Sequence, residues 1–164
     1  MSKKARTRQR AAGSGRAAVS VRTAASRQPA AGSGTKDAEL IAAARTARDN
    51  AHAGFSGFKV GAALETADGT IVSGCNIENA TYGLTLCAER VAMFKALSEG
   101  HRKFRRVAVV ADTDDPTPPC GACRQILWEF GGDLEVILAN LQRERARYQL
   151  SALLPLPFDA RLLT

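Results

Sequence analysis

Three cysteines and one glutamate in this chain have the types and spacing to do chemistry: Cys87, Cys120, Cys123 and Glu89. Cys120 and Cys123 form a C-x-x-C at the opening of a predicted helix, which puts both sulfurs on one face, within reach of a single tetrahedral ion. Cys87 opens a second predicted helix. A helix N-terminus favours negative charge, so all three thiols sit where deprotonation is favoured. Three protein ligands leave the fourth position of a zinc ion to water, as in a catalytic site and unlike a closed structural one. Glu89 follows Cys87 by two residues, giving C-A-E ahead of P-C-x-x-C at 119–123. A carboxylate beside an activated water can take its proton and pass it on, which is general acid–base work.

Other uses of these residues are open on spacing alone. The C-x-x-C could be a redox pair. Cys75 could add a fourth thiolate and close the site as structural zinc. Its place between Gly74 and Asn76 on a strand, twelve residues ahead of Cys87, suits a small buried core residue better. Glu89 by itself could merely favour the helix dipole.

The elements that must position these residues can be read along the chain. Residues 38–53 are rich in helix formers, with Thr35 or Asp37 available as N-cap. FKVGAALE at 58–65 and TIVSGCN at 70–76 are strand-like runs joined by Asp68-Gly69, a hairpin signal. Residues 87–98 predict a broadly apolar helix closed by Gly100, and 105–112 a buried strand. A proline-rich loop at 114–119 leads into a helix over about 121–130. Strands follow at 134–140 and 145–150, and a short helix starts near Ser151. This order predicts an α/β fold with a mixed sheet and helices on both faces.

Composition bounds the rest. One domain fits in 164 residues, and 45% hydrophobic with 24% charged residues is ordinary for a soluble protein. No run of about 18 apolar residues occurs, and no secretory h-region opens the chain, so a cytoplasmic protein with no membrane role is expected. The net charge of +7 is unevenly placed: all 16 acidic residues lie at or after Asp37, and nine of the basic ones precede it. That leaves 14 basic against 16 acidic residues in 37–164, a net of −2, which is poor for gripping a nucleic-acid backbone. Residues 1–36, rich in Ala, Gly, Ser and Arg, are expected to be a disordered tail ahead of a domain at 37–164. A solvated tail is the plain expectation for them; a nucleic-acid-binding or targeting arm is the other.

C-A-E…P-C-x-x-C is the cysteine version of the zinc deaminase signature. The longer strings GCNIENATYGLTLCAER at 74–90 and PCGACRQILWEF at 119–130 resemble the small free-nucleoside cytidine deaminases, over about residues 38–162. The resemblance implies a three-layer α-β-α sandwich with a mixed five-stranded sheet and one Zn²⁺ per subunit on Cys87, Cys120 and Cys123. It implies pyrimidine salvage: hydrolytic deamination of cytidine and 2′-deoxycytidine to uridine and 2′-deoxyuridine, with Glu89 shuttling protons to N3 and to the leaving ammonia. Asn76 and Glu78 match the residues that grip the ribose hydroxyls, and their i, i+2 spacing places both on one face of an extended segment. Phe58 matches the aromatic packed on the base, and the Ala88 N–H a donor to the base carbonyl. Arg90 matches a residue that hydrogen-bonds the thiolates, offsetting the −1 that three of them leave on Zn²⁺. The small members are homotetramers, and Phe158 in LLPLPF and Tyr82 match intersubunit contacts. AHAGFSGF at 51–58 stands where the family usually has A-Y-x-P-Y-S-x-F; lacking the proline, this loop is expected to be more mobile, and His52 a surface residue. The alternatives are a deaminase of a related nucleoside such as blasticidin S, and a structural zinc module whose basic arm binds nucleic acid.

Overall fold

The computed structural model describes residues 34–163. Its elements run α1 (Gly34–Asp49), β1 (Val60–Thr66), β2 (Ile71–Cys75), α2 (Ala88–Ser98), β3 (Phe104–Ala111), α3 (Gly121–Gly131), β4 (Glu135–Ala139), β5 (Glu144–Gln149) and α4 (Leu150–Leu153), with single 3₁₀ turns at Tyr82–Leu84 and Ala160–Leu162. The five strands form one sheet in the order β2-β1-β3-β4-β5. Only β3 and β4 are parallel; the other neighbours are antiparallel, so the sheet is mixed as expected.

Alternation along the strands divides the core into two layers. Ala63, Ala108, Val110 and Ile137 face α1 through Leu40, Ile41 and Ala44. Ala62, Leu64, Val107, Val109, Val136 and Leu138 face the opposite way, against Ala92, Met93 and Ala96 of α2, Leu127 of α3 and Leu150 of α4. The α-β-α sandwich is the result. The hairpin turns at Gly69, whose φ of +90° suits glycine, with the Asp68 carboxylate accepting the Thr70 N–H at 3.0 Å. Gly100, at φ +94°, follows the last residues of α2 as anticipated, and the His101 N–H reaches the Ala96 carbonyl at 3.0 Å.

Two glycines set how close the helices come. A Cβ on Gly61 would overlap the Ala44 carbonyl of α1, and one on Gly74 would lie 2.5 Å from the Ala92 nitrogen of α2. Each helix therefore lies directly on a strand.

The first helix departs from expectation. It starts at Gly34 and ends at Asp49, so Thr35 and Asp37 are inside it and neither is an N-cap. Asp37 is buried instead, and its carboxylate takes Arg106 of β3 and, at 2.6 Å, Arg147 of β5. Arg106 also pairs with Glu65, and Arg147 with Glu135 and Glu144 at 2.9 Å each. The helix stops short of residue 53 because His52 leaves it to bridge Ile77. The proposed tail lies outside the described residues except for its last three positions, which are the start of α1. Among the described residues no helix is long and apolar enough to cross a membrane.

Candidate active site and metal centre

Cys87 and Cys120 are the N-cap residues of α2 and α3, both in extended conformation (φ −73°, ψ 155° and φ −66°, ψ 168°). Neither uses its side chain to cap its helix, which leaves both sulfurs free to turn toward each other. Cys123 lies one turn into α3 and is fully buried. The three sulfurs lie within 4.8 Å of one another, with 3.9 Å between Cys87 and Cys120. Three converging thiols of this kind are the donor set of a tetrahedral thiolate-bound ion.

The electrostatics agree with that use. A hydrogen bond from Cys123, with help from Arg90, pushes the Cys87 thiol down to about 5, although its partial burial opposes this. The same pairing and burial push Cys123 up. In the free chain the cluster thus keeps protons that a bound dication would displace. Arg90 lies over the cluster, with Nη2 3.9 Å from Cys87 Sγ and 2.6 Å from the Thr85 carbonyl. Among the described residues its Nε is buried without a hydrogen-bond partner, a spare donor on the guanidinium that faces Cys87. The residues present fit a zinc ion.

Glu89, on the first turn of α2, is 5% exposed, and no salt bridge within 4.0 Å engages it among the described residues. Burial raises its carboxyl to about 7; its own backbone N–H opposes this, the Cys87 thiolate adds to it, and a hydrogen bond from Cys123 opposes it further. Ala88 is the first residue of α2, where a backbone N–H has no acceptor inside the helix. Cys75 is not part of this group: its thiol meets the Asn50 carbonyl at 3.4 Å. It is half-buried rather than a core residue, because it ends the edge strand β2.

Beyond Cys75 the chain stays extended through Ile77, held on both sides. His52 pairs with Asn76 and Glu78 (3.0 and 2.8 Å), and Leu86 exchanges two bonds of 2.9 Å with Ile77. Asn76 and Glu78 consequently share a face, as their spacing suggested, and that face meets the 53–59 loop. The Asn76 amide donates to the Phe58 carbonyl at 2.9 Å and accepts from the Val60 N–H at 2.8 Å. Glu78 accepts the N–H groups of Phe55 and Ser56 at 2.7 and 3.1 Å, and the Ser56 hydroxyl. The loop without its proline is thus tied by side chains at both ends. His52 is exposed and outside the cysteine cluster.

Phe58 is 44% exposed beside this face, whereas Tyr82 and Phe158 are 79% and 58% exposed. Tyr82 packs edge-on to Phe55 (ring centroids 6.4 Å apart) and helps line a cleft of about 380 Å³ with Ser56, Glu78, Asn79 and Thr85. Phe158 belongs to the C-terminal segment, which Gln125 holds by a 2.5 Å bond to the Phe158 carbonyl. Three residues that sequence reasoning passed over contribute. Thr85 orients Arg90 through its carbonyl and Asn79 through its hydroxyl. Arg124 joins the Pro119 carbonyl, beside Cys120, to that of Leu153 at 2.7 Å each. Ser56 ties Glu78, and its place in the S-x-F of the loop was the available signal.

Known proteins resemble this chain over the span that holds these residues. The family model described as the cytidine and deoxycytidylate deaminase zinc-binding region matches residues 34–139. Cytidine deaminases from Sporosarcina psychrophila and Halalkalibacterium halodurans are 51% and 53% identical over 122 residues, covering 74% of this chain and 90% and 92% of theirs. The crystal structure of cytidine deaminase from Burkholderia pseudomallei superposes with a TM-score of 0.71 at 51% identity, over 74% of this chain and 98% of that one. With a thiol trio and a buried carboxylate inside the matched span, this chain belongs to the cytidine and deoxycytidylate deaminase family.

Proposed function

We propose that this protein is a hydrolytic deaminase of free cytidine and 2′-deoxycytidine, yielding uridine or 2′-deoxyuridine and ammonia in pyrimidine salvage. The observation that carries this is Glu89, a buried carboxylate with its proton affinity near neutrality, beside three converging thiols. A structural zinc module would gain nothing from burying such a group, which costs desolvation without return. The negative balance of residues 37–164 also argues against a polynucleotide substrate.

Cys87, Cys120 and Cys123 would hold zinc, which supplies the Lewis acidity that brings a water's pKa toward 7. Glu89 takes the proton of the attacking water and delivers it to N3 as the new C–O bond forms at C4. It then carries the second proton to the amino nitrogen, the C4–N bond breaks, and ammonia leaves as the carbonyl forms. A group that binds a proton near pH 7 can do both transfers with little penalty. Arg90 offsets the negative charge of the thiolates. Phe58 packs on the base, the Ala88 N–H donates to the base carbonyl, and Asn76 and Glu78 grip the sugar.

Oligomerisation to a homotetramer is part of this reading. Tyr82, Phe158, Leu84 (65% exposed) and Leu156 (93%) are large apolar side chains left outside one subunit's core, suited to closing a neighbour's pocket. A cytoplasmic setting would keep the thiols reduced.

The test is Glu89→Ala with cytidine as substrate, following the fall in its near-ultraviolet absorbance alongside the zinc content. Zinc should stay at one per chain while turnover disappears; an active variant would remove Glu89 from its role. A panel of cytidine, deoxycytidine, cytidine monophosphate, blasticidin S and adenosine distinguishes the substrate class.

A further inference from the structure

We propose that Ser56 is a positioning residue, coupling the sugar-gripping carboxylate of Glu78 to the base-stacking ring of Phe58. This rests on the assignment of Glu78 and Phe58 to substrate binding made above. The Ser56 hydroxyl does two things at once, as a hydroxyl can. It donates to Glu78 Oε1, and it accepts the Phe58 N–H at 2.9 Å. Glu78 Oε2 is meanwhile filled by the N–H groups of Phe55 and Ser56.

A carboxylate has about four acceptor positions. Three of those on Glu78 are taken by residues 55 and 56, so one remains, on Oε1, for a substrate hydroxyl. The oxygen that would meet the sugar is thus the one Ser56 orients. Two residues on, the backbone of Phe58 is held from both sides, its N–H by Ser56 and its carbonyl by Asn76 at 2.9 Å. Gly57, at φ +68°, makes the intervening turn, and its N–H returns to the Ala53 carbonyl at 2.9 Å. The loop therefore presents the aromatic platform in fixed relation to the carboxylate, and Ser56 is the common partner. A purely structural role explains this less well. Ser56 is exposed, so water can satisfy the same groups if the hydroxyl is lost. What would be lost is orientation.

The experiment measures steady-state kinetics on cytidine for the zinc-loaded full-length protein and its Ser56→Ala, Ser56→Thr, Glu78→Ala and Ser56→Ala/Glu78→Ala variants, with thermal midpoint and zinc content for each. Ser56→Ala should raise KM about tenfold, as one charge-assisted hydrogen bond would. Its kcat should change less than about twofold, the signature of lost binding shared by ground and transition states. Ser56→Thr, which keeps the hydroxyl, should restore KM. Adding Ser56→Ala to Glu78→Ala should raise KM little further, because the two act as one unit. A KM for Ser56→Ala within twofold of the parent would overturn the proposal, as would multiplication of the two effects or a loss of zinc with the hydroxyl. Were Glu78→Ala itself to leave KM unchanged, the sugar-grip assignment would be the part that fails, and the coupling with it.

Discussion

Gly74→Ala should disable the enzyme while leaving it folded, and the distances show how. Gly74 lies in β2 with the first turns of α2 resting on it. An added Cβ would stand 2.5 Å from the Ala92 nitrogen, 2.9 Å from Val91 Cγ1 and 3.0 Å from the Ala88 carbonyl oxygen. Ordinary contact begins near 3.5 Å, so helix and strand must separate by roughly 1 Å. Two of the obstacles are backbone atoms, which no rotamer change can move. Because Glu89 lies on the first turn of α2 and Cys87 immediately precedes it, the displacement reaches the proposed proton shuttle and metal ligand. A misplacement of about 1 Å costs on the order of 100-fold in rate, and overpacking costs about 1–3 kcal/mol of stability.

Gly61→Ala is the control. Its Cβ would overlap the Ala44 carbonyl and lie 2.6 Å from the Arg48 nitrogen, both in α1 on the other face of the sheet. That variant should lose at least as much stability in urea unfolding. Its kcat per folded, zinc-loaded molecule should stay within a few-fold of the parent. Equal kcat in both variants, at matched zinc content, would refute the idea that close packing of α2 on β2 aims the proton shuttle.

Asp37→Asn removes the carboxylate shared by Arg106 and Arg147, and each guanidinium keeps another acid, so the loss should be about 3 kcal/mol, at the low end for a broken buried pair. Chemical denaturation measures it, and a loss below about 1 kcal/mol would show that the network contributes little. Chelating the zinc should lower the thermal midpoint by several degrees, because an ion at 1,000 times its Kd adds about 4 kcal/mol to the folded state; a midpoint indifferent to chelator would leave the thiol trio without a metal. The hydroxyl and backbone N–H of Ser56, with the Phe55 N–H, hold the Glu78 carboxyl below the usual carboxylate range. With a depressed native pKa, the tie between Glu78 and the loop is fully present above the ordinary range and fades as pH falls through the lowered value. Carboxyl NMR titration should place Glu78 below an ordinary exposed glutamate and move it up in Ser56→Ala; an unmoved midpoint would rule out the hydroxyl as a cause.

What was legible in the sequence was what local spacing encodes. Asp68-Gly69 marked the hairpin, and the continuous apolar run at 105–112 marked the inner strand β3. Cys87, Cys120 and Cys123 could be placed at helix openings because each precedes a run of helix formers. Asp37 shows where local rules end. An acid near a helix start suggests a cap, and only Arg106 and Arg147, 69 and 110 residues away, draw it inward. α1 ends before the run of helix formers does for the same reason, since His52 is recruited by Ile77 across the fold. Cys75 follows from the order of strands, which decides that β2 is an edge. Ser56 and Glu78, 22 residues apart, meet only because both flank the same opening.

The charged cluster around Asp37 has a practical corollary. It occupies the start of β3, whereas Cys120 follows the end of that strand, with Arg106 and Ala111 about 17 Å apart along it. Gly34 lies one turn ahead of Asp37, at the corner remote from the three cysteines. A fusion partner, dye or immobilising tether attached ahead of that helix would be anchored away from the substrate's entrance. With Phe158 in the role proposed for it, the C-terminal segment, which hangs from α3 through Gln125, is the wrong place for one.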